Sequence, residues 1–385
     1  RCTHRVQLQM CIRDSDKTGG DVLAIAHNGN MSNGLMFPVI NPVDNKPLTP
    51  AYAKTRAKWE PLYEVTQIKG DGEAHSFLSP DDEFADYETW DLGNLDMSQG
   101  KTKAMLPGDY LRSGLKRGLE FEQTLGVNPY KYGQIGSTDS HTSMPAVEEE
   151  NFFGKHSGTE PSPERYKHPM AEAPSGRYES GDMVCAGLAA VWARENTREA
   201  IFDAMMNKET YATTGPRMLV RFFGGWEFTA QDAMVRLPAN LGYTKGVPMG
   251  GDLPPAAQGK SRPTFLVGAL KDPLSGNLDR IQIIKGWLDK GGKRQEKVYD
   301  VVWGDADKRA PVMDGKLPPV GNTVNVAEAT WTNTIGDPEL ITVWQDPDFD
   351  PKQPAVYYAR VIEIPTPRWT CLLYTSDAAD DEYNV

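Results

Sequence analysis

Asp139 and His141 stand two residues apart at the end of a run, Tyr132 to Ser137, that reads as a β-strand. Strand geometry has a period of two and points both side chains the same way. A carboxylate oxygen and an imidazole nitrogen converging there suit Zn²⁺, Mn²⁺ or Fe²⁺. The plain alternative is a polar turn in which Asp139 caps its own loop. His27 follows the apolar run Val22 to Ala26, and the carboxyl end of an apolar strand is where parallel sheets place their sites. Glu64 lies inside the apolar run Leu62 to Ile68. An unpaired carboxylate is costly to bury, so it must be paired, metal-bound or at a mouth. Glu73 and His75 offer a further ligand, with a solvated loop as the commoner explanation. Lys155 and His156 read as substrate contacts on a surface loop. Arg217 reads as a clamp for an anionic substrate or as a structural salt bridge.

These groups need elements to hold them. The spacing predicts a helix from Thr49, an N-cap followed by Pro50, to about Trp59. A second helix is expected from about Asp109 to Leu125, with Leu111, Leu115 and Leu119 on one stripe. Arg112, Lys116, Arg117 and Glu120 fall on its other side, and Gly126 supplies the stop. A third helix, capped near Asn196 or Thr197, runs to about Lys208 and is expected to bury Ile201, Phe202, Met205 and Met206. Two long loops, residues 71–108 and 142–182, exceed the usual length of structureless connections and read as a functional rim. Alternating strands and helices to about Gly215 predict βα units and a parallel sheet. Beyond it, short strands at 218–223, 264–270, 280–285, 298–303 and 356–364 predict a β-rich accessory unit of sandwich type.

The 385 residues carry a formal charge of −12 with Lys and Arg scattered among more numerous acids, which argues against a nucleic-acid partner. No run approaches the roughly 18 apolar residues of a membrane span. The two ends read differently from the rest. Met10 to Ser15 and Cys371 to Ser376 can be encoded by strings that are reverse complements over most of their length, as in a translated transposase adaptor. Residues 1–15 and 371–385 are therefore expected to be artefact. They carry +2 and −4, which leaves −10 between them. Of four cysteines only Cys185 then belongs to the fold, where its apolar surroundings make it a core residue.

The strings AHNGN at 26–30, YEVTQIKGDGEAH at 63–75 and GSTDSH at 136–141 resemble the PHP (polymerase and histidinol phosphatase) superfamily. More closely, residues 16–370 resemble the bacterial family known as domain of unknown function 3604. NFFGKHSG, ENTREAIFDAM, ETYATTGPR, FFGGWEF, NLDRIQIIKGW and IPTPRW carry that likeness. The ATTGPR segment with its following β unit is also similar to carbaryl-hydrolase-type enzymes. The resemblance implies an α/β fold. It would be the C-terminal part of a distorted (β/α)7 PHP-type barrel at 16–215, followed by the β-rich accessory unit at 216–370. It implies two or three divalent ions (Zn, Mn or Fe) and a small-molecule ester substrate, either a phosphate or a carboxyl or carbamate ester. By motif, His27, Asp139 and His141 match metal ligands of the superfamily, and Glu64 is similar to the strand Glu or Asn between them. The opening His-x-His and the second-motif His are absent and would lie upstream of Asp16. The chain is therefore expected to show weak or no activity alone. The resemblance favours a periplasmic or secreted setting. A non-catalytic ligand- or glycan-binding protein on the same scaffold is the alternative.

Overall fold

The computed structural model describes residues 19–143, 146–156, 162, 164–184, 187–256, 262–312 and 315–372. Calls falling on residues 1–15, on 373–385 and on Cys185 lie outside the described residues. The first elements are β1 (Ile25–Ala26), α1 (Pro50–Trp59), β2 (Leu62–Gln67), β3 (Gly70–Asp71), α2 (Leu111–Leu125) and β4 (Gly133–Gly136). Thr49 caps α1 through its side chain, which accepts from Tyr52 N at 3.2 Å, and Pro50 takes the first helical position. Gly126 ends α2 in the left-handed region at φ 71°. β1 and β4 each pair parallel to β2, with Ile25 and Gly133 both opposite Leu62, and β3 returns antiparallel. α1 and α2 are the crossovers that parallel pairing requires. All six residues of β2 are buried. Leu111 and Leu115 of α2 join Phe37, Tyr63, Tyr130 and Tyr132 in one core.

The chain continues through β5 (Pro169–Ala173), β6 (Gly176–Glu179), β7 (Leu188–Val191), α3 (Arg198–Met206), β8 (Thr210–Thr213), β9 (Leu219–Gly225) and α4 (Pro238–Lys245). β10 (Gly246–Pro248), β11 (Thr264–Leu270), β12 (Leu278–Leu288), β13 (Arg294–Trp303), β14 (Glu339–Gln345) and β15 (Ala355–Glu363) complete it. One antiparallel sheet has the order β10-β9-β11-β14 and another the order β13-β12-β15. Val220, Phe222, Phe265 and Val267 of the first share a core with Leu278, Ile281 and Ile283 of the second, so the two sheets pack face to face.

The expected (β/α)7 barrel does not form. Among the described residues only β1, β2 and β4 run parallel, the other sheets are antiparallel, four complete α-helices and the helical residues 369–372 are present, and no barrel closes. The reason lies in the connections. β5 and β6 are joined by Pro174 and Ser175 alone, a link too short for anything but a hairpin. β7 and β8 are separated by α3 and yet pair antiparallel, so a helix between two strands did not make a parallel unit here. Other differences are local. Only Ile25 and Ala26 of the run 22–26 form a strand. The 142–182 loop contains the β5–β6 hairpin. In α3 only Ala204 is buried, while Ile201, Phe202, Met205 and Met206 are half-buried. β14 and α4 were not anticipated.

Gly136 ends β4 where that strand meets the β7–β8 hairpin. A Cβ there would stand 2.8 Å from Leu188 O and 2.9 Å from Thr213 O, both backbone atoms that cannot turn aside. Gly136→Ala is expected to cost roughly 1–3 kcal/mol of stability, as overpacking does. A denaturation midpoint equal to that of the parent chain would refute the close-approach account.

Candidate functional site

Three strand ends build a polar cluster. Just past β1, Asn28 adopts the left-handed region at φ 57°, which Asn tolerates. Its N–H donates to Glu64 Oε2 at 3.4 Å and its Oδ1 accepts from Gln67 Nε2 at 2.7 Å. Glu64 is buried in β2, and Ser137, just past β4, donates its hydroxyl to Glu64 Oε1. Lys69 follows β2. Asp139 follows β4, again left-handed at φ 48°, and its Oδ2 forms ion pairs with Lys69 and, at 2.6 Å, with Lys155. His141 Nε2 lies 3.3 Å from Asp139 Oδ1 and 3.1 Å from Lys155 Nζ. Lys155 reaches the cluster because its carbonyl accepts from His141 N at 2.8 Å, beside a bridge between His141 and His156. The His141 and His156 rings meet edge to face at 5.4 Å.

Burial dominates the electrostatics. It lowers Lys69 to about 7, helped by the neighbouring Lys155 ammonium, and it lowers Lys155 to about 8. The Lys155 charge, more than burial, lowers His141, whose ring is largely exposed and therefore neutral near pH 7.

The structure gathers Glu64, Asp139, His141, Lys155 and His156 and leaves the other expected residues out. His27 is exposed, with Nδ1 3.2 Å from Ile25 O. Glu73 is held by Arg112 at 2.7 Å and Arg360 at 3.2 Å. Both nitrogens of His75 are occupied, Nε2 by Asp91 at 3.1 Å and Nδ1 by Phe77 N at 3.0 Å. Arg217 pairs with Glu148 at 2.7 Å, the salt-bridge reading of that residue. Lys69 and Ser137 were overlooked. No local signal marked Lys69, because its burial depends on Asp139, 70 residues further along.

The donor set does not fit a resident cluster of two or three ions. Among the described residues no three His, Cys, Asp or Glu side chains gather as ligands. Asp139 and His141 do converge, but a divalent cation between them would face the ammonium groups of Lys69 and Lys155.

A cavity of about 1780 Å³ is a separate feature. It runs between β4, β8 and the sandwich, lined by Thr66, Glu73, Glu149, Arg217 and Arg360, and it does not reach Lys69, Asp139 or His141. Asp71 also lines it. Burial, then the Glu73 charge, push the Asp71 carboxyl up to about 8. A folded value above the unfolded one means stability that is full below about pH 4 and lost as pH rises through about 8. Asp71 Oδ2 accepts from Glu73 N at 3.0 Å and Ala74 N at 3.3 Å, bonds an amide oxygen can also accept. Asp71→Asn should therefore raise the melting temperature at pH 8–9 and not at pH 4. An equal change at both pH values would contradict the buried-proton account.

Residues 3–383 match the family model described as "Protein of unknown function (DUF3604)". The chain belongs to that family. No curated protein and no solved structure matches it. Among the described residues no helix is long and apolar enough to cross a membrane.

Proposed function

We propose that the cluster at the ends of β1, β2 and β4 is the site of a hydrolase for phosphate or carboxyl or carbamate esters. The observation that carries this reading is the 3.3 Å approach of Asp139 Oδ1 to His141 Nε2, with the imidazole open to solvent. Asp139 holds Nε2–H and leaves Nδ1 as the base in the state where the Lys155 amine, 3.1 Å from Nε2, is neutral and accepts there instead of donating, the arrangement in which a carboxylate fixes a catalytic tautomer. Water gives its proton to His141 Nδ1 as its oxygen attacks the ester carbon or phosphorus. The Lys69 ammonium stabilises the developing negative oxygen. The imidazolium then protonates the leaving alcohol, which restores neutral His141. The motif likeness to the PHP superfamily and to carbaryl-hydrolase-type enzymes supports an ester substrate.

A metal-activated water, which the motif likeness to the PHP superfamily implies, is the second reading, and the ammonium groups of Lys69 and Lys155 on Asp139 weigh against it. One assay separates the two. Nitrophenyl phosphate, acetate and carbamate esters are presented to the full chain with EDTA, with Mn²⁺ and with Zn²⁺. Slow turnover that persists in EDTA is expected. Turnover only with added metal would favour the second reading, and none under any condition would sink both.

A further inference from the structure

Lys69 and Lys155 are 8 % and 6 % exposed, and both ammonium groups converge on one oxygen of Asp139. Taking an ammonium out of water is costly unless it is paired. With both lysines protonated, Asp139 carries one negative charge for two positive ones. Burial answers the excess by lowering Lys69 to about 7 and Lys155 to about 8, so an added oxyanion favours the doubly protonated pair. Glu64, the next carboxylate, is committed to Ser137 and to the Asn28 N–H. It touches neither lysine by hydrogen bond and acts on them only through space. His141 and His156 add no negative charge. Among the described residues, one ammonium of the doubly protonated pair therefore lacks a contacting counter-charge, at the strand ends where open sheets bind ligands.

Two separate pieces of chain deliver the charges. Lys69 is held by β2, where its own N–H donates to Gln67 Oε1 at 2.8 Å. Lys155 is held by the His141–His156 bridge. The convergence thus requires β2, the residues after β4 and the 152–156 segment together. Lys155 Nζ also donates to Asp139 O and lies beside His141 Nε2. An oxyanion there would reach ammonium and imidazole at once.

We infer that Lys69 and Lys155 form a seat for an oxyanion, so that the substrate is a small ester bearing a phosphate or carboxylate group. The substrate class rests on the hydrolase reading; the seat itself does not. Isothermal titration of the full chain with inorganic phosphate, and separately with acetate, tests it. Saturable binding is expected, and it shows which oxyanion the seat prefers. Lys69→Met and Lys155→Met should each weaken it about 10- to 100-fold, the range of a lost charge-assisted hydrogen bond. Lys155→Arg keeps the charge and should retain binding within about threefold, with circular dichroism confirming the fold of every variant. Absence of saturable binding by the parent chain, or folded Met variants that bind as it does, would overturn the seat. Oxyanion binding without turnover of any ester would support the seat and reject the hydrolase reading. Ester turnover without oxyanion binding would do the reverse.

Discussion

Arg112→Met should lose roughly 3–5 kcal/mol of stability, the cost of stranding buried charges by removing their partner. Arg112 is 3 % exposed on α2, and its guanidinium donates at 2.7 Å to Glu73, at 2.7 Å to Asp82, at 3.2 Å to Glu296 and at 2.7 Å to the Tyr358 hydroxyl. Four partners from the 71–108 segment and from strands β13 and β15 meet on one side chain. The substitution keeps most of the apolar stem and deletes the fan of donors. Among the described residues, the cations left to Glu73 and Asp82 would be Arg360 alone, and to Glu296 Lys116 alone, beside the neutral donors Tyr358 and the Phe84 N–H. Arg112→Lys is expected to rescue little, because a single ammonium cannot reproduce the planar fork. A loss below about 1 kcal/mol in chemical denaturation would mean that the sheet and the sandwich are held by their apolar cores and not by this clasp.

The same network has a pH signature. Burial opposes ionisation of Glu73, but Arg360 and Arg112 overcome it and hold the carboxyl at about 2. A depressed folded value contributes stability that is present above about pH 4.5 and lost as pH falls toward 2. The parent chain should therefore weaken through that acid window, and Arg112→Met should flatten the slope.

Arg112 also marks where sequence reading stops. Helix α1 was legible because Thr49 and Pro50 act within one turn, and α2 because its leucines recur at helical spacing before Gly126. Those signals are local. Arg112 and Lys116 read as a solvent face, yet both are buried, since Tyr358 and Glu296 that cover them lie 246 and 184 residues further along. Pairing sense was equally hidden. The strand–helix–strand succession that gave parallel β1–β2 gave antiparallel β7–β8, so alternation alone could not tell a parallel unit from an antiparallel one, and the barrel that the family resemblance implied does not form. Asp139 and His141 do lie together, but not through strand alternation, since β4 ends at Gly136 and Asp139 is left-handed at φ 48°. Lys69 was not legible, because a lysine announces charge and not burial, and its partner Asp139 lies 70 residues away.

The second large effect concerns that pair. Asp139→Asn should cut ester turnover by roughly 10²- to 10⁴-fold, the range for loss of positioned acid–base catalysis. Asn tolerates the left-handed backbone that Asp139 adopts at φ 48°, so the turn after β4 should survive. What changes is charge and hydrogen bonding. An amide facing His141 Nε2 at 3.3 Å no longer fixes Nε2–H with an anion, and the tautomer that offers Nδ1 loses its preference. Lys69 and Lys155 lose their shared counter-ion. Their attraction for an added oxyanion should then hold or grow while turnover falls, and this opposition is the discriminating result. A purely structural Asp139 would lose both properties together, with a lower denaturation midpoint. A variant that hydrolyses esters at the parent rate would remove Asp139 from the chemistry and leave the cluster as a buried ion pair.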